Sequence, residues 1–367
     1  MLKTLRIPPT PFLGVVLIAI LTTLACNSGS KLSPQAQDSD QLTGAGSTFI
    51  YPAMTRWISD FQRSHPTAKI NYQSIGSGGG IQQLKKGLVD FGASDAALDD
   101  QQLKEMPPVV QIPESAGPVC VTYNLPELKT PLQLSPEVLS GIYLGTIKTW
   151  RDPRIKKDNP GIALPDDQMI VAHRSDGSGT TDIFTTYLAN VSSEWEKKVG
   201  KGISVSWPTG LGGKGSEGVT GVVKQTPGGI GYVELTYAKQ NNLPVALIRN
   251  RAGEWIAPTA AATTAAIEAF GKELVQDVRT PIVDPPVAAR DAYPIAGLTF
   301  LIVPKEAKNA ATAEVVKSFV EYIVMQGQDA AGNLSYAKLP AALQQQDQAL
   351  LGQIGSPTNQ ASTVMRP

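Results

Sequence analysis

Segments with a strand pattern alternate with segments of helical pattern along most of the chain, and this alternation limits the fold more than any other feature. Apolar runs of four to six residues, as at 169–172 and 298–303, are typical of buried strands. Elsewhere apolar residues recur at helical spacing, as in the run after Pro52 that contains Trp57 and Phe61. Such alternation predicts an α/β fold with a mostly parallel sheet and helices on both faces.

The pattern also predicts individual elements. Ile81, Leu84 and Leu88 have the spacing of one face of a short helix. The apolar residues at 109–112 and 119–123 predict two separate strands.

Length and charge narrow the classes of protein that need be considered. The chain has 367 residues, enough for two packed lobes, because single hydrophobic cores stop growing at roughly 250–300 residues. Lys plus Arg and Asp plus Glu are equal at 32 each, so the chain lacks the basic footprint of a nucleic-acid binder. We expect no nucleic-acid partner, and a bound anion must be held by local geometry.

Residues 1–25 have the composition of a signal peptide. Lys3 and Arg6 form a positive beginning, and the apolar run at 12–24 is too short for a comfortable membrane span. Small residues then precede Cys26, which resembles the lipobox of bacterial lipoproteins, where the cysteine becomes the acylated first residue.

The lipobox is imperfect, because Thr23 stands where lipoproteins usually have Leu. Secretion without a lipid is the alternative to lipidation of Cys26. We expect an exported, periplasmic protein that is anchored to a membrane through Cys26. Polar residues 26–40 predict a flexible tether, and residues 351–367 predict a C-terminal tail.

The inventory of reactive side chains argues against a metal site and against a common hydrolase. With only two cysteines and two histidines, His65 and His173, a zinc site of the usual types has too few ligands. No Gly-x-Ser-x-Gly elbow occurs, and Cys120, in an apolar run, has the character of a small buried residue. We expect no metal and no cofactor.

Three turns that join a strand-like to a helix-like segment are rich in Gly, Ser and Thr: 44–49, 76–80 and 176–181. Each would present free backbone N–H groups at a helix N-terminus, which favours an anion. A tight turn with a Ser or Thr N-cap is the alternative for any single one. None ends in the Gly-Lys-Ser/Thr of a nucleotide P-loop, so a small oxyanion fits better than a nucleotide.

Three charged residues lie beside these turns. Arg174 precedes the third turn and can pair bidentately with a tetrahedral oxyanion, although a solvated surface arginine is the alternative. Asp176 can hold that guanidinium in place. Asp95 ends the strand-like run 91–95, where ligands of open α/β sheets bind, and an N-cap for a helix near Ala97 is its alternative.

A carboxylate at Asp95 discriminates between anions. It would accept a hydrogen bond from the proton that phosphate still carries near neutral pH. Sulfate carries no such proton, so the buried carboxylate would stay unpaired at a cost of about 1–3 kcal/mol or more.

The quoted turns and charged residues resemble the phosphate solute-binding protein family, the periplasmic phosphate-binding proteins of high-affinity phosphate ABC transporters. The resemblance runs in order and without large gaps from about Leu42 to about Leu339. The segments that carry it are 42–49, 76–80, 89–95, 142–145, 174–180, 210–215, 231–234 and 237–243.

The resemblance implies a two-lobed periplasmic-binding-protein fold of type II that closes around one phosphate in the interlobe cleft. Lobe one would comprise residues 41–114 plus 294–350, and lobe two residues 115–293. The family members are not enzymes.

Site residues follow from the family by position. Thr48, Phe49 (through its backbone N–H) and Ser77 would donate hydrogen bonds to phosphate from the first two turns. Asp95 would accept the phosphate proton, and Arg174 would form the charge pair, oriented by Asp176. The third turn would donate from Ser178, Gly179 and Thr180. Ser47 is assigned no contact because family members vary there, and the segment 212–215 lies near the cleft without a specific role.

The partners implied are inorganic phosphate and the membrane permeases of an ABC transporter with their cytoplasmic ATPase, and we expect a monomer. Two alternatives stay open. A binding module for another oxyanion, such as sulfate or molybdate, is disfavoured by Asp95. A phosphatase lacks a plausible metal cluster or histidine nucleophile in the sequence.

Overall fold

The computed structural model describes residues 41–357. The predicted signal peptide, the lipidated Cys26 and the tether therefore lie outside the described residues, as do the last ten residues of the predicted tail.

Thirteen strands are present between residues 41 and 357. They are β1 (Gln41–Gly46), β2 (Lys69–Ser74), β3 (Phe91–Ser94), β4 (Val109–Tyr123), β5 (Gln133–Leu134), β6 (Ile170–Arg174), β7 (Leu211–Gly213), β8 (Gly229–Glu234), β9 (Leu247–Arg249), β10 (Trp255–Ile256), β11 (Ala296–Pro304), β12 (Glu306–Ala307) and β13 (Ser356–Pro357).

Fourteen helices alternate with the strands in the same part of the chain. They are α1 (Tyr51–Ser64), α2 (Ser77–Lys85), α3 (Asp100–Lys104), α4 (Pro136–Tyr143), α5 (Pro153–Asp158), α6 (Gly179–Val191), α7 (Ser193–Lys198), α8 (Gly215–Gln225), α9 (Leu235–Gln240), α10 (Ala260–Ala269), α11 (Gly271–Gln276), α12 (Ala310–Met325), α13 (Gln328–Asn333) and α14 (Ala341–Leu351).

Eight strands form one sheet in the order β2-β1-β3-β11-β4-β8-β6-β7. The pairings on both flanks are parallel: β1 with β2 and β3, and β6 with β8 and β7. The three central pairings are antiparallel. The α/β class agrees with the sequence pattern, and four of the seven pairings are parallel. Two of the antiparallel pairings involve β11, which returns from late in the chain to lie between β3 and β4, and the third joins β4 to β8.

The prediction of two separate strands at 109–112 and 119–123 is wrong, because both belong to the single 15-residue strand β4. Its first part pairs with β11 as far as Pro118, and its last part pairs with β8 from Val119 onward. The polar and small residues between the two apolar runs hid this continuity. One strand thus joins the two flanks of the sheet.

Leu88 does not share a helix with Ile81 and Leu84. Helix α2 ends at Lys85, and Gly87 has a φ of +66°, the left-handed conformation that commonly stops a helix. Leu88 lies beyond this stop and is 63% exposed, whereas Ile81 and Leu84 are buried.

The core is formed by large side chains from both flanks of the sheet. Trp57 and Phe61 on α1 pack among the buried residues of one flank, and Tyr143 and Phe184 pack on the other. Burying each such side chain contributes about 1.5–3 kcal/mol. Cys120 is fully buried, as its apolar surroundings predicted. No helix between residues 41 and 357 has the length and apolar character needed to cross a membrane.

The sheet brings several strand ends to one edge. Parallel strands β1, β2 and β3 all finish at the same edge, and α1 and α2 begin just after β1 and β2. On the other flank β6 ends at Arg174, and α6 begins at Gly179. Helix N-termini and strand ends are thereby placed close together, where open α/β sheets bind ligands.

Candidate anion-binding site

The first turn leads from β1 into α1. Gly46 has a φ of +145°, and the following Ser47 donates its backbone N–H to the carbonyl of Ala93 at 2.8 Å, which holds the turn against β3. The N-terminus of α1 has no side-chain cap. Thr48 is buried, and its Oγ1 lies 2.8 Å from Ser216 Oγ at the start of α8.

The second turn leads from β2 into α2, where Ser77 is the first helical residue. Gly76 has a φ of +86°, and a Cβ there would lie 2.3 Å from Oδ2 of Asp176, so only glycine fits. The hydroxyl of Ser77 accepts hydrogen bonds from the backbone N–H of Asp95 at 3.3 Å and of Gly179 at 3.1 Å. Ser77 therefore joins the second turn to the third.

The third turn leads from β6 into α6. Ser178 caps the helix, since its Oγ accepts a hydrogen bond from the backbone N–H of Thr181 at 3.1 Å. Gly177 accepts a hydrogen bond at its carbonyl from the backbone N–H of Gly78 at 3.0 Å. A Cβ at Gly179 would lie 2.6 Å from Cβ of Asp95, so the backbones of the two flanks meet here at glycine.

Arg174 and Asp176 form a bidentate ion pair. Nε of Arg174 lies 2.8 Å from Oδ1 of Asp176, and Nη2 lies 2.5 Å from Oδ2. Gly215 also donates its backbone N–H to Oδ1 of Asp176 at 3.0 Å. The Arg174 side chain is only 2% exposed, so it is no solvated surface arginine. Burial opposes the charge of Arg174, but the hydrogen bond and charge of Asp176 raise its pKa above the ordinary value.

Asp95 follows β3 and is 4% exposed. Three hydroxyl groups donate to its carboxylate: Ser47 to Oδ1, Thr299 to Oδ1 at 3.3 Å, and Thr180 to Oδ2 at 3.2 Å. Asp95 is not a helix N-cap, because α3 begins later and Asp99 caps it. Burial raises the pKa of Asp95 to about 6, against the lowering effect of these hydroxyls and Arg174, so the carboxylate is mostly ionised at neutral pH.

Phe49 is fully buried, and its carbonyl accepts a hydrogen bond from the hydroxyl of Tyr336 at 2.6 Å. Thr48 is held in the same way, since its carbonyl accepts a hydrogen bond from the hydroxyl of Tyr237 at 2.6 Å. Both tyrosines come from late in the chain and fix the backbone of the first turn.

Two side chains at the site, Ser216 and Thr299, were not identified from the sequence, and Ser47 was left out because family members vary there. Ser47 lay within the first turn, so its position was a usable signal. Ser216 opens α8 within the second half of a Gly-rich segment, and its backbone N–H donates to Oγ1 of Thr48 at 3.1 Å. Thr299 lies in an apolar strand, where nothing in the sequence marks it.

The charged side chains of the candidate site, Arg174, Asp176 and Asp95, do not by themselves favour an anion. Arg174 contributes one positive charge, which Asp176 balances, and Asp95 adds a negative charge. Attraction must therefore come from hydroxyl and backbone N–H donors and from the N-termini of α1, α2 and α6, each equivalent to roughly half a positive charge. Helix dipoles and one arginine are thus the features of this candidate site that could attract an anion.

A larger groove lies close by, but it is not the candidate site. It has a volume of about 930 Å³ and runs between Tyr51 on α1 and the residues Glu217 and Tyr237 on α8 and α9. None of the predicted ligand-contacting residues lines it. A small oxyanion would be poorly enclosed in a space of this size, so the compact cluster at the three turns is the candidate.

Comparison with known proteins identifies the family of the chain. A sequence profile of the PBP superfamily domain matches residues 33–326. The phosphate-binding protein PstS of Xylella fastidiosa (strain Temecula1) is 41% identical over 324 residues, 88% of this chain and 88% of that protein. The phosphate-binding protein PstS of Pasteurella multocida (strain Pm70) is 42% identical over 319 residues, 87% of this chain and 91% of that protein.

A solved structure of a high affinity periplasmic phosphate-binding protein bound with phosphate is also similar. It matches with a TM-score of 0.66 at 20% identity, over 87% of this chain and 100% of that one. At that identity the likeness shows the shared fold alone, whereas the identities above 40% over most of both chains show a closer relationship. This chain belongs to the PBP superfamily and, within it, to the family of PstS phosphate-binding proteins.

Proposed function

We propose that the protein binds inorganic phosphate outside the cytoplasmic membrane and delivers it to an ABC transporter for import. The observation that carries the proposal is the convergence of three helix N-termini on one buried arginine and one buried carboxylate acceptor. Family membership supports the same ligand, because the relatives are named phosphate-binding proteins. The site performs no bond chemistry; it captures and releases the anion.

Donors from both flanks of the sheet surround the proposed ligand. Arg174 supplies the positive charge, and Asp176 orients it through the bidentate pair. The proposed hydrogen-bond donors are Thr48, the backbone N–H of Phe49, Ser77, Ser178, the backbone N–H of Gly179, and Thr180. The N–H of Gly179 donates to Ser77 in the structure and the hydroxyl of Thr180 to Asp95, so these two donors would turn to the ligand on binding.

Asp95 is the proposed selector of phosphate over fully deprotonated anions. Its ionised carboxylate can accept the proton of hydrogen phosphate, which gives the buried charge a further partner. Against sulfate the same carboxylate faces an oxygen that has no proton, so a repulsive contact replaces an attractive one.

Two lobes are proposed on either side of the site: residues 41–114 plus 294–350, and residues 115–293. With these bounds the chain would cross between the lobes in β4 and again just before β11. Hydrogen bonds that connect Gly78 with Gly177 and Ser77 with Gly179 then join one lobe to the other. They correspond to a closed arrangement that a hinge motion in the crossing segments would open.

Delivery requires export and contact with the transporter. We propose that the signal peptide at 1–25 directs export and that lipidation of Cys26 anchors the protein to a membrane. The tether at 26–40 would allow a monomer to reach the permeases, which work with their cytoplasmic ATPase. The tail at 351–367 begins with a segment that is attached to the fold, since β13 pairs with β12.

Equilibrium dialysis with labelled phosphate tests the proposed ligand. We expect saturable binding of one phosphate per chain, and a large excess of sulfate should displace little of it because Asp95 opposes sulfate. Displacement by sulfate at a concentration comparable to phosphate would show that Asp95 does not select the anion.

Incubation with a phosphate ester should release no phosphate; sustained release would instead favour a phosphatase.

Replacement of Gly179 by Ala tests the closed arrangement. The added Cβ would lie 2.6 Å from Cβ of Asp95 and 2.7 Å from the backbone nitrogen of Ala96, so the flanks cannot approach fully. We expect phosphate affinity to fall about tenfold, roughly 1.4 kcal/mol, measured by calorimetry. The control Gly221→Ala adds a Cβ that meets nothing within 4 Å and should bind normally. Equal affinities of the two variants would contradict the closed arrangement.

A further inference from the structure

The hydroxyl group of Thr299 lies between two buried carboxyl groups. Its Oγ1 is 3.3 Å from Oδ1 of Asp95 and 3.1 Å from Oε1 of Glu114. A threonine hydroxyl has one proton to donate, so it can serve only one of these carboxyls at a time. Which carboxyl group receives the hydroxyl proton of Thr299 depends on which of the two acids is itself protonated.

Glu114 lies in the middle of β4, and its side chain is fully buried. Thr299 is the neighbour that hydrogen-bonds its Oε1, while Oε2 has no hydrogen-bond partner among residues 41–357. Asp95, by contrast, has donors in Ser47 and Thr180 as well and lies near Arg174. If one of the two acids holds a proton, Glu114 is therefore the one.

With the proton on Oε1 of Glu114, one chain of hydrogen bonds links the three groups, and only Oε2 of Glu114 stays without a partner among residues 41–357. Glu114 donates to Thr299, and Thr299 donates to Asp95. If both acids were ionised, two buried negative charges would compete for one hydroxyl, and Glu114 or Asp95 would lose a donor. The neutral form of Glu114 therefore preserves more hydrogen bonds than the ionised form.

We infer that Glu114, in its neutral form, is a positioning residue that commits the Thr299 hydroxyl to Asp95 and thereby holds Asp95 as an ionised acceptor for the ligand. The inference rests on the proposed binding of phosphate at Asp95. Glu114 does not touch the ligand itself; it acts through Thr299. Glu114 lies on β4, the strand that joins both flanks of the sheet and one of the segments in which the hinge is proposed. The Asp95 carboxylate is therefore linked to this strand through Thr299.

The surroundings of Glu114 give the pH dependence a definite sign. Burial raises the pKa of Glu114 to about 8, partly offset by Thr299 and reinforced by the charge of Asp95. Among residues 41–357, Tyr72 on β2 also interacts with Glu114, and burial raises the pKa of Tyr72 well above its usual value, so Tyr72 stays neutral. The neutral Gln328 on α13 donates to the Glu114 carbonyl. Above about pH 8 a second negative charge therefore develops beside Asp95.

The test compares the phosphate dissociation constant of the full chain and of Glu114→Gln by calorimetry from about pH 7 to about pH 10. Gln keeps the shape and the donor of the neutral acid but cannot ionise. Some change in affinity with pH will be common to both proteins and is subtracted first. After that correction, we expect the unmodified protein to lose about tenfold in affinity over this range and Glu114→Gln to lose less than about twofold. The control Glu268→Gln makes the same change at an exposed position of α10 and should follow the unmodified protein.

The outcomes separate this inference from the proposed function. If the unmodified protein does not bind phosphate at neutral pH, the proposed function fails. If it binds phosphate but Glu114→Gln weakens in parallel with it at high pH, the role of Glu114 is overturned.

Variants of Thr299 keep the inference testable should Glu114→Gln not fold. Thr299→Val removes the shared hydroxyl at nearly constant volume, and Thr299→Ser retains it. We expect Thr299→Val to bind phosphate severalfold more weakly at neutral pH and Thr299→Ser to bind normally. Normal affinity of Thr299→Val would contradict the relay from Glu114 to Asp95.

Discussion

An Arg174→Ala variant is expected to bind phosphate about two to three orders of magnitude more weakly than the unmodified protein. Arg174 is the positive charge of the site, and its side chain is almost completely buried. Its removal leaves Asp176 and Asp95 as two negative charges that face the incoming anion. Calorimetry or equilibrium dialysis would measure the loss, which corresponds to roughly 3–4 kcal/mol.

The fold should survive this change, because Asp176 still accepts a hydrogen bond from the backbone N–H of Gly215 and its side chain is 14% exposed to water. Circular dichroism and thermal unfolding check that point. Arg151→Ala is the matched control, since Arg151 forms an exposed ion pair with Asp166 and should leave binding unchanged. An Arg174→Ala variant with undiminished affinity would remove Arg174 from the site.

Asp95→Asn should change which anion the protein accepts. The amide keeps the size of the side chain but presents a donor where the ligand proton needs an acceptor. We expect phosphate affinity to fall by about 2–3 kcal/mol, roughly 30- to 150-fold, and sulfate to compete at concentrations similar to those of phosphate. Competition dialysis with both anions measures the two effects together.

Asp166→Asn provides the comparison for Asp95→Asn, because Asp166 is an exposed partner of Arg151 and contacts no residue of the site. It should retain both the affinity and the rejection of sulfate. If Asp95→Asn also rejected sulfate as strongly as the unmodified protein, the preference for phosphate would have to arise elsewhere.

Features encoded by adjacent residues were predictable from the sequence. The third turn follows an apolar strand directly, and Arg174 and Asp176 are only two residues apart, so their contact depends little on the rest of the chain. The α/β class followed from the apolar periodicity for the same reason, because each strand or helix carries its own signal.

Features set by distant segments were not predictable. Thr299 meets Asp95 across more than two hundred residues of sequence, and in the apolar strand β11 its hydroxyl has no local signal. The continuity of β4 was hidden because its two apolar ends pair with different strands while the small and polar middle spans the crossing. Leu88 was misplaced because one glycine, Gly87, stopped the helix before it.

The position of β11 also sets an order in which the molecule can be assembled. Because β11, which comes late in the chain, lies between β3 and β4, those two strands keep unpaired edges until residue 304 has left the ribosome. The opposite flank needs nothing beyond β8 and is complete by Glu234. Unpaired edges attract other chains, and pairings distant in sequence form slowly. A partly synthesised chain therefore exposes unpaired strand edges on the flank that will hold Asp95, and it cannot complete this flank of the sheet before β11 has been made.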